Sequence, residues 1–220
     1  MRLVKPSIEF LNMTPGPLKT IERAGRTCYK SEDKITLESA DHFVRNLLQD
    51  DPYAMIEHAS ASYRVICDRG ITHEIVRHRL FSYAQESTRY CNYKGGVTYI
   101  IPPWLNLEEG GYVIIDMSIC YKDEVEIQPM LDVKNWLSLL FEAGCVYNNL
   151  ITHAAWTPQQ ARSVLPNALK TEIVITGNLR EWLHFFELRC APTAHPQMQE
   201  VANMILQDIR NRISVIFDKL

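Results

Sequence analysis

The densest chemistry in this chain lies in residues 77–90, RHRLFSYAQESTRY. Arg77, His78, Arg79 and Arg89 stand there with Ser82, Gln85, Glu86, Ser87, Thr88, Tyr83 and Tyr90. Arginine keeps its proton and offers a planar fork of donors that suits phosphate and carboxylate oxygens. Hydroxyls and amides beside it can read a polar ring. The segment therefore suits an anionic ligand that carries a heterocycle. A plainer alternative is a solvated, charged helix end, where arginines favour the C-terminal dipole. Spacing alone leaves both open.

A second set of polar groups lies downstream. Arg162 sits in ARSVLP, and Asn178, Arg180, His184 and Arg189 sit in NLREWLHFFELR. Arg180 and His184 are i, i+4 and share a helix face. The alternative is that His184 is a hydrogen-bonded core histidine and that the arginines pair with Glu181 or Glu187. His73-Glu74 followed by His78 resembles a zinc-binding helix, but the histidines are i, i+5. Five residues turn a helix by about 140°, so the imidazoles diverge and no metal is expected. There is no GxGxxG, GxxxxGK[ST] or GxSxG, which removes the common phosphate cradles and the nucleophile elbow. Ser87 has no neighbouring base in sequence to activate it as a nucleophile.

Helices and strands must position these groups. Apolar periodicity predicts helices over 18–29 and 36–48 and one long helix or two over about 124–152, with a chain break at Asp51-Pro52. It predicts others over 158–165, 178–188 and 196–217. Residues 3–11, 59–67 and 169–176 have strand character. The turn at Asp68-Arg69-Gly70 leads into a predicted helix from about His73 to Phe81, with Thr72 as its cap. On that helix Glu74, Arg77 and Phe81 would share a face. Glycine and proline pairs between 91 and 118 predict loops and short strands. Strands and helices do not alternate as in a doubly wound fold, so the expected class is α+β.

The totals set the frame. A chain of 220 residues, 46% hydrophobic and 22% charged, is expected to form one globular domain over residues 1–220. A net charge of −3 argues against a general nucleic-acid binder. The six cysteines include no CxxC pair, against a zinc ribbon or thioredoxin-like site. No run suggests a signal peptide or membrane span. A cytoplasmic protein with reduced thiols is expected.

RHR, seven residues, then Ser87 resembles the signature of the flavin-dependent thymidylate synthases. The longer form RHRxxSxxxxSxRY is met at Arg77, His78, Arg79, Ser82, Ser87, Arg89 and Tyr90. MIEHAS before the signature, ARSVLP and NLREWLHFFELR are similar to that family's other segments in order and spacing. The resemblance implies a twisted, largely antiparallel sheet flanked by helices. It also implies a homotetramer whose active sites form where subunits meet. The implied reaction makes dTMP from dUMP. Methylenetetrahydrofolate gives the one-carbon unit, NADPH is the reductant acting through FAD, and tetrahydrofolate is released.

The same resemblance implies residue roles. Arg77, His78 and Arg79 match positions that hold FAD, as do Gln85, Asn178, Leu179, Arg180 and His184. Gln85, Glu86, Ser87, Thr88 and Arg89 match the loop that grips dUMP, in a site shared with another subunit. Glu74, Ile75, Val76, Arg77 and Arg162 match further dUMP contacts. Arg189 matches the group that activates the uracil ring, with no protein nucleophile. Cys190, beside it, is read as structural. Three positions depart from common family choices: Ala54 replaces a frequent hydroxyl residue, Gln85 a glutamate of some relatives and Glu74 a glutamine of others.

Overall fold

The computed structural model describes residues 1–49, 53–115, 118–122 and 125–218. The break expected at Asp51-Pro52 and the helix start expected at Glu124 lie outside them. In chain order the elements are β1 (Arg2–Val4), β2 (Ser7–Met13), α1 (Pro17–Tyr29), α2 (Ser39–Leu47), β3 (Ser60–Asp68), α3 (Arg69–Ile75) and β4 (Ser82–Gln85). Then come β5 (Thr98–Ile100), β6 (Gly110–Ile115), β7 (Ser118–Tyr121), β8 (Val125–Ile127), α4 (Leu131–Thr152) and α5 (Pro158–Ala161). The chain ends with β9 (Lys170–Asn178), α6 (Leu179–Arg189), α7 (Pro196–Arg212) and α8 (Ser214–Phe217). The class is α+β, as expected. The strands form two sheets, ordered β5-β1-β6-β7-β8 and β2-β3-β9-β4.

Two compact units result. The first comprises Met1–Pro6, Ile66–His73 and Gln85–Glu172; the second comprises Ser7–Val65, Glu74–Ala84 and Ile173–Leu220. The five-stranded sheet lies within the first unit. There β1 runs parallel to β5 and antiparallel to β6, and β6-β7-β8 continue antiparallel. Leu3, Tyr99, Tyr112 and Ile119 of this sheet are buried with Leu137, Leu140 and Tyr147 of α4. Tyr99 can be buried because its hydroxyl donates to the Leu140 carbonyl at 2.9 Å. Each such aliphatic side chain contributes about 1.5–3 kcal/mol on burial.

The second unit has an aromatic core. Trp182 lies edge-on to Phe81, with ring centroids 4.8 Å apart, and also meets Tyr63, Phe185 and Phe186. Its indole N–H donates to the Ala61 carbonyl at 3.2 Å. The contact spacing reflects α6, whose buried Leu179, Trp182, Phe185 and Phe186 recur at helical period.

Several elements differ from the sequence expectations. The strand expected over 3–11 is two strands in two sheets, separated at Lys5-Pro6. Proline has no N–H for a ladder, which ends the first strand there. The expected helix 124–152 begins only at Leu131. Pro129 precedes it and biases Gln128 to extended backbone, and Val125–Ile127 pair with β7 instead. The last helix breaks at Ile213, whose φ of −148° and ψ of 65° are not helical.

The motif segment differs most. The helix expected from His73 to Phe81 ends at Ile75, and β4 begins at Ser82. Between them the chain turns through short closures, Arg77 N–H to Glu74 C=O and Phe81 N–H to His78 C=O, both 3.2 Å. The Tyr83 hydroxyl sits 2.8 Å from the Ile75 carbonyl and 2.7 Å from that of His78. Those carbonyls would have served a continuing helix, so Tyr83 stabilises its end. The cap is Asp68, not Thr72: its carboxylate accepts from the Ile71 N–H at 2.8 Å. Thr72 donates instead to the Arg69 carbonyl at 2.8 Å.

Candidate functional site

The expected site residues fall into two clusters, one in each unit. In the second unit α6 carries Arg189 in its last turn. Its Nε donates to Nε2 of His78 at 2.9 Å, and its Nη1 donates to Oε2 of Glu74 at 2.8 Å. Its Nη2 donates to the Glu74 backbone carbonyl at 3.2 Å. A guanidinium has five N–H donors, so two remain after these three bonds. Arg189 is thus a cation held on three sides and still able to bind.

His78 is the acceptor in this triad, which requires a neutral ring with its proton on Nδ1. Burial, then the Arg189 charge, then His184 lower its pKa from 6.5 to about 4. The ring lies 5.0 Å from Phe185 and 6.0 Å from His184, centroid to centroid. Burial pushes the Tyr83 hydroxyl up to about 12, so it stays a donor.

The other members of this unit separate. Arg77 and Arg79 are exposed, and among the described residues neither guanidinium has a hydrogen bond or ion pair. Arg180 pairs with Glu57 at 2.5 Å, not with Glu181 or Glu187. His184 is exposed, 4.0 Å from Glu187, so it is no core histidine. Asn178 caps α6 by accepting the Glu181 N–H at 2.9 Å. Ile75 and Leu179 are fully buried and Val76 is exposed. The common face expected for Glu74, Arg77 and Phe81 is lost with the helix, and Phe81 is buried in the aromatic core.

The first unit holds the rest. Gln85 donates to the hydroxyls of Thr72 at 3.0 Å and Thr171 at 3.4 Å. Thr88 is buried, and its hydroxyl accepts from Arg162 Nη1 at 3.2 Å. The Arg89 N–H meets Ser87 Oγ at 3.3 Å, and Arg89 Nε donates to Gln159 at 3.3 Å. Both Glu86 carboxylate oxygens are engaged. Tyr93 donates to one at 2.6 Å and Lys170 to the other at 3.2 Å. Burial and the Glu86 carboxylate raise the Tyr93 hydroxyl well above its usual range. Lys170 also contacts Glu172.

Sequence reasoning missed Glu57, Tyr93, Lys170 and Glu172. Lys170 and Glu172 had a readable signal: two apart on a strand, they face the same side. Tyr93 and Glu57 carried none. Cys190 is a half-buried thiol whose pKa burial raises, against the lowering effect of Arg210; it is a poor nucleophile in that state. Among the described residues no cluster of three or more His, Cys, Asp or Glu is placed to hold a metal. No described helix is long and apolar enough to cross a membrane.

Comparison with known proteins adds to this geometry. A family model described as "Thymidylate synthase complementing protein" matches residues 9–213. A flavin-dependent thymidylate synthase of Mycobacterium marinum is 31% identical over 214 residues, covering 94% of this chain and 81% of that protein. One from Corynebacterium efficiens is 29% identical over 212 residues, covering 90% and 77%. The solved structure of a UMP/dUMP methylase PolB from Streptomyces cacaoi, bound with 5-Br dUMP, has a TM-score of 0.76. It covers 99% of this chain and 96% of its own at 21% identity, a likeness of fold.

Proposed function

The chain belongs to the thymidylate synthase complementing protein family, and on that premise we propose that it is a flavin-dependent thymidylate synthase. It converts dUMP to dTMP, takes the one-carbon unit from methylenetetrahydrofolate, uses NADPH as reductant and releases tetrahydrofolate. The observation that carries this reading is Arg189, oriented by Glu74 and His78 with two N–H donors to spare. Uracil C5 is a weak nucleophile. A fixed cation at a ring carbonyl stabilises negative charge as it develops on the ring, and being preoriented it needs no reorganisation. Neutral His78 matters here because a second cation beside Arg189 would oppose it. No protein nucleophile is needed, and Cys190 plays none.

Substrate phosphate needs charge-assisted donors. Ser87, Arg89 and Arg162 are the proposed grip, with Gln85 and Thr88 supporting them. FAD fits the donor set: Arg77 and Arg79 are exposed cations without partners among the described residues, suited to diphosphate oxygens. FAD, when bound, supplies the redox chemistry between NADPH and the folate-borne carbon. His78, Gln85, Asn178, Leu179, Arg180 and His184 are the further proposed flavin contacts. Glu74, Ile75, Val76 and Arg77 are proposed around the nucleotide. The enzyme is proposed to act in the cytoplasm as a homotetramer with active sites shared between subunits, without nucleic-acid or membrane partners.

The test is a turnover assay with dUMP, methylenetetrahydrofolate, FAD and NADPH, each omitted in turn, with UMP offered in place of dUMP. Product should require all four components. Formation of dTMP without added or bound flavin would overturn the proposal. So would a colourless protein that takes up no FAD.

A further inference from the structure

Glu86 begins the segment that carries Ser87, Thr88 and Arg89, yet its own side chain points inward. The carboxylate is mostly buried, as is the Lys170 ammonium that meets it. Tyr93 holds one oxygen at 2.6 Å and Lys170 the other at 3.2 Å. The backbone is held as firmly. The Glu86 N–H donates to the Glu172 carbonyl at 2.8 Å, and the Glu86 carbonyl receives Arg69 Nη1 at 3.4 Å. Three bonds to side chains and one to the backbone therefore fix this single residue, all from within one unit. One residue further along the constraint weakens: among the described residues, Ser87 contributes only local bonds within the turn.

Lys170 has a second duty. It contacts Glu172 as well, two places along β9 on the same face. The Lys170 ammonium thus meets both carboxylates. Without it, the Glu86 carboxylate would lose the charge that holds its second oxygen, at the root of a segment proposed to receive a phosphate dianion. Like charges in a partly dry site repel strongly, and a partner left buried without its counter-charge costs more than the pair contributes.

We propose that Lys170 and Glu86 form a positioning pair that sets the geometry of the dUMP-gripping segment 87–89 without their side chains touching the substrate, in place of the direct dUMP contact that the resemblance implies for Glu86. Glu86 then acts through the backbone it anchors, and Lys170 removes a charge that would oppose the phosphate. The proposal rests on the thymidylate synthase reading, because it takes dUMP as the ligand of that segment.

The experiment measures KM for dUMP, kcat and calorimetric dUMP binding in the flavin-loaded enzyme and its variants. Lys170→Met should raise KM and weaken binding about tenfold, equivalent to about 1.4 kcal/mol, while kcat changes little. Lys170→Arg should recover most of the affinity. Glu86→Gln in the Lys170→Met background should also recover affinity, since it removes the buried carboxylate charge that Lys170 no longer balances and keeps an acceptor for Tyr93. Thermal melts of each variant separate loss of fold from loss of grip. Unchanged dUMP affinity in Lys170→Met overturns the pairing, as does a double variant no better than Lys170→Met. Wild-type protein that fails to bind dUMP overturns the functional reading, and this inference with it.

Discussion

Arg189 binds three acceptors through three separate nitrogens, and only a guanidinium has that geometry. A lysine would offer one charged point and lose the fork. We therefore expect Arg189→Ala to lower dTMP formation by at least about 10²-fold, the scale of losing one preorganised donor. Arg189→Lys should recover little of it, and flavin absorbance should persist in both. Turnover that survives either change would remove Arg189 from its role. At this scale the sequence was legible where chemistry is local: the basic signature and the arginines of the last motif stood out by type and spacing. Pairing was not legible. Nothing in NLREWLHFFELR says that Arg189 reaches Glu74 rather than Glu187. Glu57 became visible only through a contact 123 residues away in sequence, and Tyr93 through a turn that brings it back to Glu86 seven residues earlier.

Two strand-to-helix junctions do most of the positioning. β3 passes into α3 and β9 into α6 without an intervening loop. An acidic or amide side chain caps each helix three residues on, Asp68 to Ile71 and Asn178 to Glu181. Close packing beside the second junction rests on Gly177. A Cβ there would lie 2.4 Å from the Phe81 ring, and a ring buried among Trp182 and Phe185 cannot easily give way. Gly177→Ala should cost about 1–3 kcal/mol by overpacking and disturb His78, whose ring centroid is 6.2 Å from that of Phe81. Denaturant melts of the variant check this; an unshifted midpoint would contradict it. Periodicity located α1, α4 and α6 because their buried faces repeat. It failed over 73–81 because Tyr83 and the close approach at Gly177 end the helix from outside the window.

For the whole molecule, His78 links folding to pH. Its folded pKa of about 4 lies below the ordinary 6.5, so between those values the unfolded chain binds a proton that the folded chain refuses. Its contribution is complete above about 6.5, declines as pH falls toward 4 and stays lost below that. The expected loss is on the order of 1–3 kcal/mol. Urea titrations between pH 7.5 and 4.5 should show it, and His78→Asn should flatten the slope in that window. An equal slope in both proteins would count against the linkage. The class of the molecule was legible from the arrangement of its elements. The division of its strands into two sheets was not, since pairing such as β1 with β5 depends on residues far apart in sequence.

The junction at Asn178 has one more consequence, for insertions and deletions. From the cap to Arg189 runs one unbroken helix, with buried Leu179, Trp182, Phe185 and Phe186 along it. One residue added inside that stretch turns everything after it by about 100°. Arg189 would swing away from Glu74, and aromatic side chains would leave the core in the same motion. This span of the chain has no slack to take up a change in length.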